Sequence, residues 1–222
     1  MSRMNSFHNI YDIPKKNIPN QIYQLRIKLK GISPPIWRRI LASNYLFFSE
    51  LHDLIQKCFS WAGYHLHEFY FPHPFISNLR IYIKGVIDWD IDSETADYYH
   101  FLSDKIRLCD VFSETQRRAY YNYDFGDNWE HIITLEKIFP NNQTLNEPIC
   151  VGGKRASPPE DSGGPYGYQE MIEIINNSNH SEYDEIIEWL GPEFNSEKVD
   201  ELDIKMSPKD IEKKFGPSLE EL

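Results

Sequence analysis

Seven side chains in this sequence have the types and spacings that hydrolytic metal sites use. His65 and His67 are two residues apart in the alternating segment HLHEFYF. On a strand their imidazoles would point to the same side and could chelate one ion. If the pair is not a ligand set, these histidines are polar members of a strand face that Phe69 and Phe71 complete. The full candidate set for a divalent metal ion is His65, His67, His131, Asp124, Asp127, Glu160 and Asp161.

A predicted hairpin carries three members of that set. Residues 119–135 form two alternating runs that flank Phe125-Gly126-Asp127-Asn128, which is the pattern of two antiparallel strands and a turn. Asp124 would end the first strand, and His131 would point into the protein with Trp129. A buried histidine beside aspartates is suited to act as a base or a metal ligand. Alternatively, Asp124 and Asp127 are ordinary turn formers.

The stretch PPEDSGG, residues 158–164, brings two adjacent carboxylates to a stiffened loop. Pro158 and Pro159 restrict the backbone before Glu160 and Asp161, and the following glycines permit close backbone approach. Alternatively, the stretch has only a structural role, as a turn that leads into a helix. We interpret the loop as a wall of the site and predict that Glu160 or Asp161 shares a pocket with a histidine of the set, His67 or His131.

A basic run lies near the start of the chain and carries no acidic residue. It predicts an association with nucleic-acid phosphates, unless it is simply the solvated face of a strand. Overall charge argues against a chain that wraps nucleic acid as a whole, since the net charge is −11 and residues 179–222 hold 13 acidic and 5 basic side chains. That acidic segment is a candidate surface for a protein partner. The basic candidates are Arg26, Lys28, Lys30, Arg38 and Arg39.

The elements that must position these residues indicate an α+β fold with a mixed or mainly antiparallel sheet. Alternation in IYQLRIKLKGI predicts a half-buried strand, and SPPIWRRIL predicts a second one after a proline corner. Apolar spacing over 51–59 predicts one early packed helix, and the chain turns helical after about residue 167. We therefore expect a flexible lead-in at 1–20, a domain at 21–175 and an acidic helical C-terminal extension at 176–222.

Composition narrows the cellular setting. No apolar run has the features of a secretory signal or the length of a membrane span. The three cysteines, Cys58, Cys109 and Cys150, form no CxxC pair and suit free thiols in a reducing compartment. These features predict a cytoplasmic protein without a membrane partner.

Four stretches together resemble one family. They are YQLRIKLKGISPPIWRRI, LHDLIQKCFSWAGYHLHEF, YDFGDNWEHIITLEKI and CVGGKRASPPEDSGGPYGY. In this order they resemble the plasmid pRiA4b ORF-3-like family over roughly residues 21–190, and some members of that family carry the label of insertion-element passenger proteins of the resolvase-like TnpR type. The resemblance implies an α+β domain of undefined activity. A serine recombinase would need a nucleophilic serine among arginines on a different fold, and this chain shows no such set.

These observations support two functional hypotheses. The first is a binding or interaction module of undefined activity, possible partners being nucleic acid or a mobile element. The alternative is a metal-dependent hydrolase that uses the His/Asp/Glu set.

Overall fold

A single eight-stranded sheet organises the protein. The computed structural model describes residues 18–73, 78–86, 99–140, 145–191, 193–199 and 206–219, so most of the predicted lead-in lies outside the described residues. Within them the strands are β1 (Gln21–Leu29), β2 (Trp37–Ser43), β3 (His67–Pro72), β4 (Arg80–Lys84), β5 (Tyr99–Leu102), β6 (Arg118–Tyr123), β7 (Trp129–Pro140) and β8 (Ile149–Lys154).

Five helices accompany the sheet in the described residues. They are α1 (Phe48–Cys58), α2 (Leu108–Val111), α3 (Gly164–Ile175), α4 (Tyr183–Leu190) and α5 (Pro208–Phe215). The strand order is β5-β4-β3-β6-β7-β1-β2-β8. Every neighbouring pair is antiparallel except β4 and β5, which are parallel. The predicted α+β class with a mainly antiparallel sheet is confirmed.

One side of the sheet carries the main core, because alternate residues of each strand point the same way. In β1 the core-facing residues are Tyr23, Leu25, Ile27 and Leu29. Each pairs with a residue of β7 that points to the same side of the sheet. Helix α1 packs on this side, where the Phe48 ring lies 4.9 Å from the Phe69 ring. The predicted early helix is confirmed at Phe48–Cys58, and its apolar stripe includes Cys58, buried in the core as a free thiol.

The opposite side of the sheet is the open face. We define it by Arg26 and Lys28 on β1, Lys30 directly after β1, and Trp37 and Arg39 on β2. A second, smaller core lies at one end of it. There Ile22 and Phe139 pack with Ile211 and Phe215 of α5. The last helix therefore contacts the sheet directly through two buried side chains.

The predicted hairpin over 119–135 is confirmed. Strands β6 and β7 pair antiparallel from Arg118↔Thr134 to Tyr123↔Trp129. The turn brings Asp124, at the end of β6, back beside the start of β7, and Asp124 takes the left-handed backbone conformation with φ of 54°. This hairpin end is where the candidate site lies.

Candidate metal centre

The loop 158–164 folds back onto the hairpin turn. The Gly163 backbone N–H donates to Oδ2 of Asp127 at 3.0 Å. Gly164 has φ of +70°, and a Cβ atom there would lie 2.2 Å from the Asp127 carbonyl oxygen. Only glycine permits both this backbone conformation and this approach. The glycines of PPEDSGG therefore join two segments that the sequence separates by two strands, β7 and β8.

Polar contacts fix the same loop from the other side. Trp61 Nε1 donates to the Pro158 carbonyl oxygen at 2.8 Å. Oε1 of Glu160 accepts hydrogen bonds from the Ala62 backbone N–H at 2.8 Å and from the Tyr123 hydroxyl at 2.9 Å. The segment that follows α1, the end of β6 and the loop are thus held together by side chains of the loop and its neighbours.

Three side chains converge where these segments meet, and we call them the metal centre: His65, Asp124 and Asp161. Nε2 of His65 lies 3.2 Å from Oδ1 of Asp161 and 3.6 Å from Oδ2 of Asp124. One ligand atom from each residue lies within 4.8 Å of the other two. Among the described residues, this is the group of three His, Cys, Asp or Glu side chains whose ligand atoms come close enough to hold one ion.

The orientation of each carboxylate has a local cause. Oδ1 of Asp124 accepts from the Gly126 backbone N–H at 2.9 Å, which leaves Oδ2 on the side of His65. Asp161 has a left-handed backbone with φ of 56°, and its other oxygen, Oδ2, lies 3.4 Å from the Tyr64 hydroxyl, which donates to it. Left-handed backbone is tolerated by aspartate better than by most residues.

The His65 nitrogen in this centre has no hydrogen bond. Nε2 is shielded from solvent, and although two carboxylate oxygens are near, neither is placed to accept or donate a hydrogen bond with it. A buried polar atom without a partner costs free energy, so such atoms in proteins usually have a water or an ion as partner. The nitrogen and two carboxylate oxygens are all electron-pair donors, which is the composition of a divalent metal site.

The two separations from the His65 nitrogen are compatible with ligands of one metal ion and are shorter than those expected around an ammonium group. Ligand atoms at about 2.0–2.2 Å from an ion, with angles of about 90–110° at the metal, lie about 2.8–3.6 Å apart. Acceptors around an ammonium nitrogen at about 2.8 Å would lie about 4.6 Å apart. The observed 3.2 Å and 3.6 Å fall in the range for a metal.

Glu160 borders the centre without belonging to its ligand set. Its Oε1 is occupied by the two hydrogen bonds described above, whereas Oε2 is buried and has no hydrogen-bond partner. Burial, together with the hydrogen bond to Glu160, raises the pKa of the Tyr123 hydroxyl above its usual range. Tyr123 therefore stays a proton donor to Glu160 at neutral pH.

His67 does not join His65 at the centre, contrary to the paired arrangement that we expected from the sequence. Strand β3 begins at His67, so His65 precedes the strand and is not held to its alternation. The His67 ring instead stacks on His52 of α1, with centroids 3.5 Å apart and planes 6° from parallel. Burial, and secondly the neighbouring His52, lowers the pKa of His67 to about 3.

His131 points into the core, as the alternation of β7 predicts, and lies apart from the metal centre. It is fully buried, and its Nδ1 is 2.9 Å from the Trp129 carbonyl oxygen. Its ring packs edge-on against Phe59 and Trp61. Burial lowers the pKa of His131 to about 4. The loop carboxylate Asp161 reaches His65, and the expected pocket shared by a loop carboxylate and His67 or His131 stays a prediction.

The basic candidates separate onto two sides of the sheet. Arg38 is fully buried on the core side, where Nε donates to the Cys58 carbonyl at 2.9 Å and Nη2 donates to Ser157 Oγ at 2.8 Å. It is not placed to contact a phosphate. The other four lie on the open face, where Arg39 pairs with Glu136 and Lys30 pairs with Glu130, both at 2.5 Å.

Two aromatic residues of the site were not predicted from the sequence. Tyr64 contacts Asp161, and Tyr123 donates to Glu160. Tyr123 could have been found, since the alternation of β6 places it on the same side as Tyr121 and therefore inside. Tyr64 lies in a segment without periodicity, so only the folded chain reveals its contact.

Comparisons with known proteins give one family and two similar proteins. The family described as plasmid pRiA4b ORF-3-like protein matches residues 21–203. The uncharacterized protein y4hQ of Sinorhizobium fredii is 30% identical over 171 residues, which cover 77% of this chain and 81% of that protein. The crystal structure of a protein of unknown function, MM3350 from Methanosarcina mazei Go1, is 39% identical, with a TM-score of 0.72 over 87% of this chain and 98% of that one.

Proposed function

Because the chain belongs to the plasmid pRiA4b ORF-3-like family, whose members have no defined activity, we propose a function from the site itself: the protein is a binding module that holds a divalent metal ion at His65, Asp124 and Asp161. The observation that carries this proposal is the buried His65 Nε2, which has two carboxylate oxygens at 3.2 Å and 3.6 Å and no hydrogen bond. A metal ion is the partner that these three donors fit.

Donor type indicates which ions suit the centre. Two carboxylates and one imidazole favour Mn²⁺, Fe²⁺ or Zn²⁺ over the soft ions that thiolates select. Three protein ligands leave at least one position open for water or for a ligand group, as in sites that act on a bound molecule. The three ligands come from three separate segments, so metal binding also ties those segments together.

The second candidate function is a metal-dependent hydrolase, and Glu160 is the observation that favours it. A carboxylate oxygen that is buried, unpaired and next in sequence to a ligand can take a proton from an attacking water. In this reaction the water would lose its proton to Oε2 of Glu160 while its oxygen adds to the carbonyl or phosphoryl centre of the substrate. The bond to the leaving group would then break, and Glu160 would return the proton to that group. The hydrogen bonds from Ala62 and Tyr123 would hold the carboxylate in place.

The test of metal binding is a titration of the untagged, chelator-treated protein. Isothermal calorimetry with Mn²⁺ and Zn²⁺ should give one site per chain, and His65→Ala or Asp161→Asn should weaken binding by at least tenfold. His180→Ala is the matched control, because His180 is an exposed histidine in another part of the chain. Equal binding by all four proteins, or none by the wild type, would contradict the proposal.

Three broader assignments accompany this proposal. We propose a cytoplasmic location, which the three free thiols support, and within the described residues no helix is long and apolar enough to cross a membrane. We also propose the division into a lead-in at 1–20, a domain at 21–175 and a C-terminal extension at 176–222. A protein partner for the acidic extension remains a proposal of the same kind.

A further inference from the structure

Exposed apolar side chains gather beside the metal centre. Tyr64 and Leu66 flank His65 in sequence, Phe125 follows Asp124, and Tyr166 follows Gly164 by two residues in the first turn of α3. Their exposed fractions are 61%, 66%, 51% and 83%. The other exposed large apolar side chains of the described residues are Val86, Trp189 and Leu219. We call Tyr64, Leu66, Phe125 and Tyr166 the exposed apolar patch.

The backbone contacts of the centre bring the patch together. The Asp124 backbone N–H donates to the Leu66 carbonyl oxygen at 3.0 Å, which places Leu66 beside the hairpin turn that carries Phe125. The Tyr64 ring lies 4.6 Å from the His65 ring and its hydroxyl reaches Asp161. Gly164, two residues before Tyr166, contacts the Asp127 backbone. These contacts place the four segments that carry the exposed apolar residues around one site. Exposed apolar residues grouped on one surface mark interaction sites on soluble proteins.

The negative charge around the patch indicates which kind of ligand it would bind. Four carboxylates adjoin it, from Asp124, Asp127, Glu160 and Asp161, and in the described part of the chain no lysine or arginine forms an ion pair with any of them. A divalent ion in the metal centre would offset the charges of Asp124 and Asp161 only. Glu160 and Asp127 would still make the surface negative, so it repels phosphates and attracts cationic groups.

Aromatic side chains strengthen the same preference. The faces of Tyr64, Phe125 and Tyr166 can accept a lysine or arginine side chain as well as an apolar one, because the ring face carries negative charge. Four cationic side chains that would favour an anionic polymer lie on the open face, on the opposite side of the sheet to the core: Arg26, Lys28, Lys30 and Arg39. The patch and the basic face therefore suit ligands of opposite charge.

We propose that the exposed apolar patch and its carboxylates form a docking site for a basic, apolar segment of a protein partner. In this arrangement aromatic or aliphatic side chains of the segment cover Tyr64, Leu66, Phe125 and Tyr166. Lysine or arginine side chains of the same segment pair with Asp127 at the edge of the patch, and the negative charge of Glu160 adds to their attraction. The site does not require a metal ion, because the patch and these two carboxylates are present without one.

The test uses random dodecapeptides displayed on phage, selected on the full-length protein at about 50 mM salt. We expect the selected peptides to combine Phe, Trp or Leu with Lys or Arg. Synthetic copies labelled with fluorescein should bind the wild type, and Tyr64→Ser with Tyr166→Ser should weaken binding by tenfold or more. Peptides with the basic residues changed to Glu should bind at least tenfold more weakly. Trp189→Ser, at an exposed aromatic residue outside the patch, should leave binding unchanged.

Several results would overturn the docking proposal. Selected peptides that are acidic, or that bind the double variant as well as the wild type, would show that the patch is not the site. Failure to select any peptide would do the same. If light scattering shows a dimer that the double variant Tyr64→Ser with Tyr166→Ser dissociates, the patch binds a second copy of the chain. If the wild type binds an oligonucleotide and the double variant does not, the patch binds nucleic acid. Metal titration of the same proteins is a separate measurement, so failure of the metal site would be recognised independently.

Discussion

The imidazole rings of His52 and His67 lie 3.5 Å apart and nearly parallel, one on α1 and the other at the first residue of β3. Burial lowers the pKa of both rings, and Nδ1 of His52 is 2.8 Å from the Tyr121 hydroxyl. Protonation of either ring would place a charge in the interface between helix and sheet. The stack is therefore compatible with the fold while both rings are neutral.

The first prediction is a loss of stability in mild acid. Folded His67 and His131 have pKa values of about 3 and about 4, below the usual value near 6.5 for the unfolded chain. Between about pH 6.5 and pH 4 these histidines bind protons in the unfolded state but not in the folded state. The free energy of unfolding therefore falls as pH decreases over that range. His131 alone contributes a loss of about 2 kcal/mol by pH 5.

Urea unfolding at pH 7, 6 and 5 measures this dependence. His67→Leu removes one of the buried imidazoles and should make the free energy of unfolding less sensitive to pH over that range. His180→Gln changes an exposed histidine and should keep the wild-type dependence. Identical pH profiles for wild type and His67→Leu would contradict the assignment of this histidine to a neutral buried state.

The second prediction concerns the close approach at Gly164. Gly164→Ala would place Cβ 2.2 Å from the Asp127 carbonyl oxygen at a φ of +70°, so the loop has to move away from the hairpin turn. We expect stability to fall by more than the about 1–2 kcal/mol that left-handed backbone costs alone, and metal affinity to fall by tenfold or more.

Gly163→Ala is the matched control for that change. Gly163 also has a left-handed backbone, with φ of 77° and ψ of 26°, but its added Cβ would meet its nearest neighbour, the Gly167 Cα, at 3.5 Å. This variant should lose only about 1–2 kcal/mol and keep the metal. Thermal unfolding and calorimetry on both variants make the comparison, and equal losses would show that the contact with Asp127 is unimportant.

The third prediction separates metal binding from hydrolysis at Glu160. Glu160→Gln keeps a carbonyl oxygen that can accept from Ala62 and Tyr123, but it removes the carboxylate that could take a proton. Metal affinity should change by less than about threefold, since Glu160 is not a ligand. Any metal-dependent hydrolysis found with model ester or phosphodiester substrates should fall by about 10²–10⁴.

Asp161→Asn is the variant with which metal affinity and hydrolysis of Glu160→Gln are compared. That variant should lose metal and hydrolysis together, because Asp161 is a ligand in the proposed centre. Hydrolysis that survives in Glu160→Gln at the wild-type rate would leave the binding module as the function of the site.

The fourth prediction tests the nucleic-acid hypothesis on the open face. Arg39 and Lys30 are paired with Glu136 and Glu130, whereas Arg26 and Lys28 have no ion pair with a described residue. Changing Arg26 and Lys28 to alanine should reduce the salt dependence of oligonucleotide binding by about two units of slope. Lys57→Ala, in the last turn of α1, is the control and should have no effect. Absence of any retention of a 20-nucleotide strand at 20 mM salt would end this hypothesis.

Periodicity in the sequence was sufficient to predict β1, β2, β3 and the hairpin, because alternation is a local property of a strand. It did not predict the edge strands β5 and β8. The same rule would have separated Arg38 from Arg39, since neighbouring residues of a strand point to opposite sides. The prediction grouped them because they share charge, and the structure buries Arg38 while Arg39 stays on the open face.

The metal centre was only partly predictable for a different reason. Asp124 and Asp161 belonged to the candidate set through their turn and proline-rich contexts, but their partner depended on where β3 begins. That boundary leaves His65 outside the strand and His67 inside it, and strand ends are set by tertiary contacts that no local pattern encodes. The contact between Gly164 and Asp127 also depends on tertiary structure and could not be predicted from a local pattern.

The metal centre takes its ligands from segments that lie before β3, after β6 and before α3, and these meet only when the sheet is complete. An ion bound there, as we propose, would have affinity for the native chain and little for the unfolded one. By mass action it would raise the free energy of unfolding by about 2.7 kcal/mol when its free concentration is a hundred times the dissociation constant. The supply of metal in the cell would then set how long the folded protein persists against proteolysis.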